Sequence, residues 1–220
     1  MNLKLQLVIA EDCCEHCKHE SKDVLNAIWG CPLLSLIWTH HSCWNFRDTP
    51  YEATQHLNWK PPPRPKVKIN FDGSLFREEN IAGIGCIIRD YSGQVVVSMV
   101  GKHTLPHSII AMEVLAAIHA LRLALELSHP SIILEGDSKV AIDAFRSEQQ
   151  SLTEYGHLIE EAKWLANQFE AAEFNYVQRK CNIAAHNIAR HARYVSEFTV
   201  WIEDVPPHLS IVVQVDSTTA

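Results

Sequence analysis

Positive charge is what this chain has too little of. Its 220 residues carry 19 Lys and Arg against 26 Asp and Glu, a net charge of −7 with histidine neutral. Nucleic-acid binding draws most of its free energy from counterions released when Lys and Arg neutralise phosphates, so this deficit argues against a strong, sequence-indifferent coat on nucleic acid. It leaves open an enzyme whose local site meets phosphate through a metal. Long hydrophobic runs are missing too. The opening stretch MNLKLQLVIAEDCC is interrupted by Lys4 and Gln6 and has no clean cleavage site, so no signal peptide and no membrane span are expected. An even cysteine framework is absent as well. Of seven cysteines, Cys13, Cys14, Cys17 and Cys31 crowd the N-terminal region, which fits metal binding or reduced thiols better than a secreted disulfide scaffold. The protein is therefore expected inside the cell, in nucleus or cytoplasm, as a monomer. An apolar content of 47% and a charged content of 20% are enough for a sizeable core and exclude general disorder. No internal repeat is visible.

A proline-rich stretch divides the chain. Trp59-Lys60-Pro61-Pro62-Pro63-Arg64-Pro65 suits neither helix nor central strand, and residues 59–65 are expected to be an extended linker. Residues 1–58 before it are rich in Cys, His and Trp. Residues 66–200 after it show a regular succession of patterns, and 201–220 read as a C-terminal tail. Val67, Ile69 and Phe71 alternate along a first strand. AGIGCIIR (82–89) and QVVVSMV (94–100) form two more, joined by the hairpin tetrad Asp90-Tyr91-Ser92-Gly93. Residues 109–127 are apolar around nearly the whole helical circumference, as a helix buried on a sheet must be. A strand from Ser131 to Leu134, helices over 138–147 and 152–169, a strand from Glu173 to Gln178 and a helix from Asn182 to Val195 complete the order βββαβααβα. Strands four and five each follow helices and can run parallel to the first. The expected class is α/β, a five-stranded mixed sheet with helices on both faces.

Three acids punctuate this order: Asp72 in KINFDGS, Glu113 in IIAMEVLAAIHAL and Asp137 in IILEGDSKVAI. Each sits where an apolar pattern meets its boundary, a costly place for a carboxylate unless something compensates it. Taken singly, each has an ordinary explanation. Asp72-Gly73 is a common turn pair, Glu113 suits a helix N-terminus, and Asp137 suits an N-cap. Taken together they form a site for a hard divalent cation. Two carboxylates about 4 Å apart repel by about 4 kcal/mol at an effective dielectric of about 20, so three in one place require a cation or a proton. Glu135, two residues before Asp137 in the same strand pattern, is read as peripheral.

The phrases WKPPPRPKVKINFDGS, AGIGCIIRDYSG, MEVLAAIHALRLAL, ILEGDSKVAIDAF and VQRKCNIAAHNIARHA, in that order from residue 59 to about 195, resemble the type-1 ribonuclease H-like domains of plant retrotransposon origin. The resemblance implies hydrolysis of the RNA strand of an RNA–DNA hybrid, with two Mg²⁺ ions held by four acids. Asp72, Glu113 and Asp137 match the first three. The spacing that leads to the fourth runs here from Asn182 to His186, so His186 stands at the fourth metal-ligand position. An imidazole suits Mn²⁺ better than Mg²⁺. Gly73 and Ser74, beside Asp72, would let the backbone approach the sugar edge of the hybrid, and Asn182 is a third candidate substrate contact.

Several departures from the family pattern bear on activity. The loop Phe174 to Asn182 contains no histidine, and residues 147–155 contain no Lys or Arg to form a basic protrusion. Over residues 66–200, 13 Lys and Arg stand against 16 Asp and Glu, a net of −3. A hybrid ribonuclease therefore competes with a catalytically impaired nucleic-acid-binding module of the same fold. A related exonuclease class needs an Asp-x-Glu pair on the first strand and is excluded, because position 74 is serine. The segment CEHCKHESKDVLNAIWGCPLLSLIW is similar to the zinc-binding module that ends plant retrotransposon reverse transcriptases. Cys14, Cys17 and Cys31 match its cysteine ligands, Asn26 stands at its histidine position, and His16, His19 or Cys13 are the substitutes at hand. A decayed module with free thiols is the alternative to a Zn²⁺ site.

Overall fold

The structure, a computed structural model, describes residues 59–106 and 108–218; the cysteine-rich segment, with Cys14, Cys17 and Cys31, lies outside them. The strands are β1 (Val67–Phe76), β2 (Ile81–Arg89), β3 (Val95–Thr104), β4 (Ser131–Gly136), β5 (Ala171–Tyr176) and β6 (Thr199–Ile202). They form one sheet in the order β5-β4-β1-β2-β3-β6. The helices are α1 (Ile109–Glu126), α2 (Lys139–Arg146), α3 (Gly156–Ala166), α4 (Ile183–His191) and α5 (Ser210–Thr218). No described helix is long and apolar enough to cross a membrane.

The alternation in β1 decides the architecture. Ile69 and Phe71 point into a core built with α1, α2 and α3, where Val114, Ile118, Leu121, Ile142, Phe145 and Ile159 are buried. Asn70, Asp72 and Ser74 share the opposite face. A second core covers that face, with Ala184, Ala185 and Ile188 of α4 packed on Ile87 and Val100. The β2–β3 hairpin closes as the sequence requires. Asp90 Oδ1 accepts hydrogen bonds from Ser92 N (2.8 Å), Ser92 Oγ (2.7 Å) and Gln94 N (2.9 Å). Gly93 takes the positive φ, 81°, that an L side chain resists. β4 pairs parallel to both β1 and β5 because helices carry the chain across between them.

The structure departs from expectation in three places. The sheet has six strands rather than five, since Thr199–Ile202 adds antiparallel to β3 as an edge. Residues 201–220, expected to be a tail, begin inside that strand and continue into α5. Finally, the proline-rich stretch is anchored at its start. Trp59 is 2% exposed, and its Nε1 donates to Asn70 Oδ1 at 2.8 Å. The Arg89 guanidinium lies 3.4 Å from the centre of the Trp59 ring. A large apolar ring adjoining a cationic group gains both burial and cation–π energy, which outweighs the linker tendency of the prolines that follow.

Candidate metal centre

Glycine at two positions determines how closely the site can be assembled. Asp72 lies in the middle of β1 rather than at its end, directly opposite Gly85 on β2. A Cβ on Gly85 would lie 2.2 Å from Ala189 N and 2.6 Å from Ala185 O, so only glycine lets α4 rest on the strand there. That approach brings His186, one residue along α4 from Ala185, onto Asp72. On the other side of β1, a Cβ on Gly73 would meet Met112 Cγ at 2.7 Å. The missing side chain thus lets α1 press on β1 and carries Glu113 to the edge of Asp72. Asp137 follows the last residue of β4, the strand that pairs with β1.

Three acids converge as expected. Asp72, Glu113 and Asp137 each offer an oxygen, and these oxygens all lie within 4.8 Å of one another. The ordinary single-residue explanations do not describe them. Asp72-Gly73 runs through a strand, not a turn. Glu113 lies beyond the first turn of α1, and the cap of α2 is Ser138, which accepts from Ala141 N at 3.4 Å. Asp72 is fully buried and Glu113 is 8% exposed. Asp72 Oδ1 and Glu113 Oε2 are buried without a hydrogen-bond partner. An orphaned carboxylate oxygen in the interior is expensive, and a hard cation is the partner that suits it. The donor set therefore fits a divalent metal. Burial, then the negative charge of Asp72 and Asp137, pushes the Glu113 carboxyl up to about 9, against a hydrogen bond from the Gly73 backbone. Burial and Asp72 also raise Asp137, while Arg179 and His186 pull it down.

His186 reaches the cluster, but it is already engaged. Its Nδ1 lies 2.7 Å from Asp72 Oδ2. Arg179, in the short turn before α4, spans the opening. Its Nη2 lies 2.7 Å from His186 Nδ1 and 3.1 Å from Nε2, and its Nη1 donates to Asp137 Oδ2 at 3.3 Å. Asn182, at the start of α4, donates from Nδ2 to Phe71 O at 2.9 Å, which pins the helix beside Asp72, and leaves its buried Oδ1 without a partner. Ser74 is buried on the Asp72 face. Glu135 points the same way but is satisfied elsewhere. Lys68 Nζ sits 2.8 Å from its Oε1, and Asn70 Nδ2 donates to its Oε2 at 3.2 Å. Arg179 is the site residue the sequence reading missed. The one available signal was a cationic residue beside the Asn182-to-His186 spacing.

The reverse transcriptase-like family matches residues 70–192, more than half of the chain and all of the site. No curated protein matches the chain. Among solved structures, RNase H1 from the archaeon Halobacterium salinarum is 22% identical, covers 59% of this chain and 98% of its own, and superposes with a TM-score of 0.54. The N-terminal RNase H domain of a Mycobacterium tuberculosis protein is 24% identical over 58% of this chain and 92% of its own, with a TM-score of 0.51. LC11-RNase H1, solved in complex with an RNA/DNA hybrid, is 17% identical over 57% and 95%, with a TM-score of 0.50. At these identities the likeness establishes the fold. The protein belongs to the reverse transcriptase-like family and has a ribonuclease H-like fold.

Proposed function

We propose that the protein hydrolyses the RNA strand of an RNA–DNA hybrid, with a divalent cation held by Asp72, Glu113 and Asp137. The observation that carries this reading is the pair of buried, unpartnered oxygens, Asp72 Oδ1 and Glu113 Oε2, in a cluster of three acids drawn from a strand, a helix and a loop. Such a cation supplies Lewis acidity toward a phosphoryl oxygen and a lowered pKa for bound water. The chain's own residues do the rest. Asp72 sets the polarity of a dry spot, and Glu113, which holds a proton near neutral pH, adds its negative charge when a cation takes that proton's place. Asp137 meets Arg179 at the opening, its Oδ2 accepting from Nη1 at 3.3 Å. Asn182 holds α4 against β1 so that His186 stays on Asp72. The LC11 complex supports a hybrid as the substrate, since that relative shares the fold and binds one.

One observation favours a second reading, a nucleic-acid-binding module of the same fold with impaired catalysis. His186 and Arg179 engage Asp72 Oδ2 and Asp137 Oδ2, on two residues that the family pattern assigns to cations. The two readings separate in one titration. A labelled hybrid is incubated with the full chain over a range of Mg²⁺ and Mn²⁺. Cleavage of the RNA strand, faster with Mn²⁺, supports the enzyme. A retained, uncut hybrid supports the module.

A further inference from the structure

Four carboxylate oxygens of the cluster fall into two sets. Asp72 Oδ1 and Glu113 Oε2 are buried and unpartnered. Asp72 Oδ2 and Asp137 Oδ2 are engaged by His186 and Arg179. The imidazole has one N–H and one lone pair when neutral. Its Nδ1 faces a carboxylate oxygen at 2.7 Å, so the proton belongs there and Nδ1 donates to Asp72 Oδ2. Nδ1 then has no lone pair left to receive Arg179. Arg179 Nη2 lies 2.7 Å from Nδ1 and 3.1 Å from Nε2, which places it over the face of the ring rather than in the plane of a lone pair. In this arrangement Nδ1 offers no lone pair to a metal, and a cation approaching Nε2 meets the guanidinium charge. The guanidinium keeps its charge under all ordinary conditions and cannot withdraw by losing a proton.

We infer that this site is built for a single divalent cation, on the side of Asp72 Oδ1 and Glu113 Oε2, and that the Arg179–His186 pair supplies fixed positive charge where the family pattern places a second cation. This deepens the reading of Asp72, Glu113 and Asp137 as cation ligands and does not depend on hydrolysis. Arg179 acts here as a positioning residue. It packs over the imidazole, caps Asp137 and repels a second cation. Its side chain is 61% exposed and spans the mouth of the site, so removing it leaves the core intact.

The test counts bound Mn²⁺ by electron paramagnetic resonance on the metal-stripped full chain, without nucleic acid. The Asp72→Asn variant measures the background from sites elsewhere. Above that background, the wild type is expected to bind one Mn²⁺. Arg179→Ala frees Asp137 Oδ2 and removes the charge beside Nε2, and a second Mn²⁺ should bind at least about tenfold more tightly than in the wild type. Arg179→Lys, which keeps the charge, should stay at one. His186→Asp, with native circular dichroism, gives an independent route to the second ion. Two ions of similar affinity in the wild type overturn the inference, as does no ion at all, or a single ion in both Arg179→Ala and His186→Asp. Hybrid cleavage is scored separately. One bound Mn²⁺ with no cleavage refutes the hydrolase reading and leaves this inference standing; cleavage with two bound ions does the reverse.

Discussion

Without metal, Glu113 should make the protein lose stability as pH rises. In the unfolded chain its carboxyl titrates near 4.5, and in the folded protein burial and the neighbouring acids push it up to about 9. The folded state therefore holds a proton that the unfolded state has released throughout that window. The contribution is fully present below pH 4.5 and declines as pH climbs toward 9. Between pH 7 and 8 the slope from one such group is about 1.4 kcal/mol per pH unit. Burial shifts His119, His129 and His191 down, so the protons their unfolded forms still hold, about a quarter of one each at pH 7, oppose this slope and fade by pH 8; comparison with Glu113→Gln removes their share. Cys86, pushed up to about 12, contributes only as the unfolded thiol begins to ionise at higher pH. Urea denaturation of chelator-treated protein at pH 7.0, 7.5 and 8.0 measures the slope. Glu113→Gln, which cannot ionise, should flatten it, and saturating Mn²⁺ should flatten it in the wild type. Equal slopes in wild type and Glu113→Gln would refute the raised carboxyl and the dry site it implies.

Other outcomes follow from the packing. Gly85→Ala forces α4 off β2, because the new Cβ collides with Ala189 N and Ala185 O, and should cost about 1–3 kcal/mol in thermal unfolding. Trp59→Ala should cost about 3–5 kcal/mol, the range for losing a buried aromatic, and a truly free linker would show no change. In the N-terminal segment, Cys14, Cys17 and Cys31 predict about one Zn²⁺ per chain by atomic absorption; a stoichiometry near zero supports the decayed module with free thiols.

Much of the fold was legible because its signals are local and periodic. The alternation of Val67, Ile69 and Phe71 is a statement about one strand with two different faces, and the apolar circumference of 109–127 states that α1 is covered. Both survive in the structure because burial enforces them. β6 was not legible. Its four residues form an edge with Val200 and Ile202 exposed, so nothing in the pattern demands a partner. Trp59 was misread for the opposite reason. Proline composition describes the local backbone, whereas the burial of one ring is decided by Asn70 and Arg89, far along the chain. The acidic trio could be assembled from order and residue type. The state of His186 could not, because it depends on Arg179 arriving from a short turn with no periodic signature.

The most direct test of the central claim is hydrolysis of a hybrid with a labelled RNA strand, by wild type and Asp72→Asn side by side in Mn²⁺. The account predicts RNA cleavage by the wild type, with 3′-hydroxyl ends, and none by Asp72→Asn, which keeps the shape of the site but removes a charge from its centre. An intact RNA strand with the wild type in both Mn²⁺ and Mg²⁺, unrescued by His186→Asp, would contradict it, as would equal cleavage by Asp72→Asn.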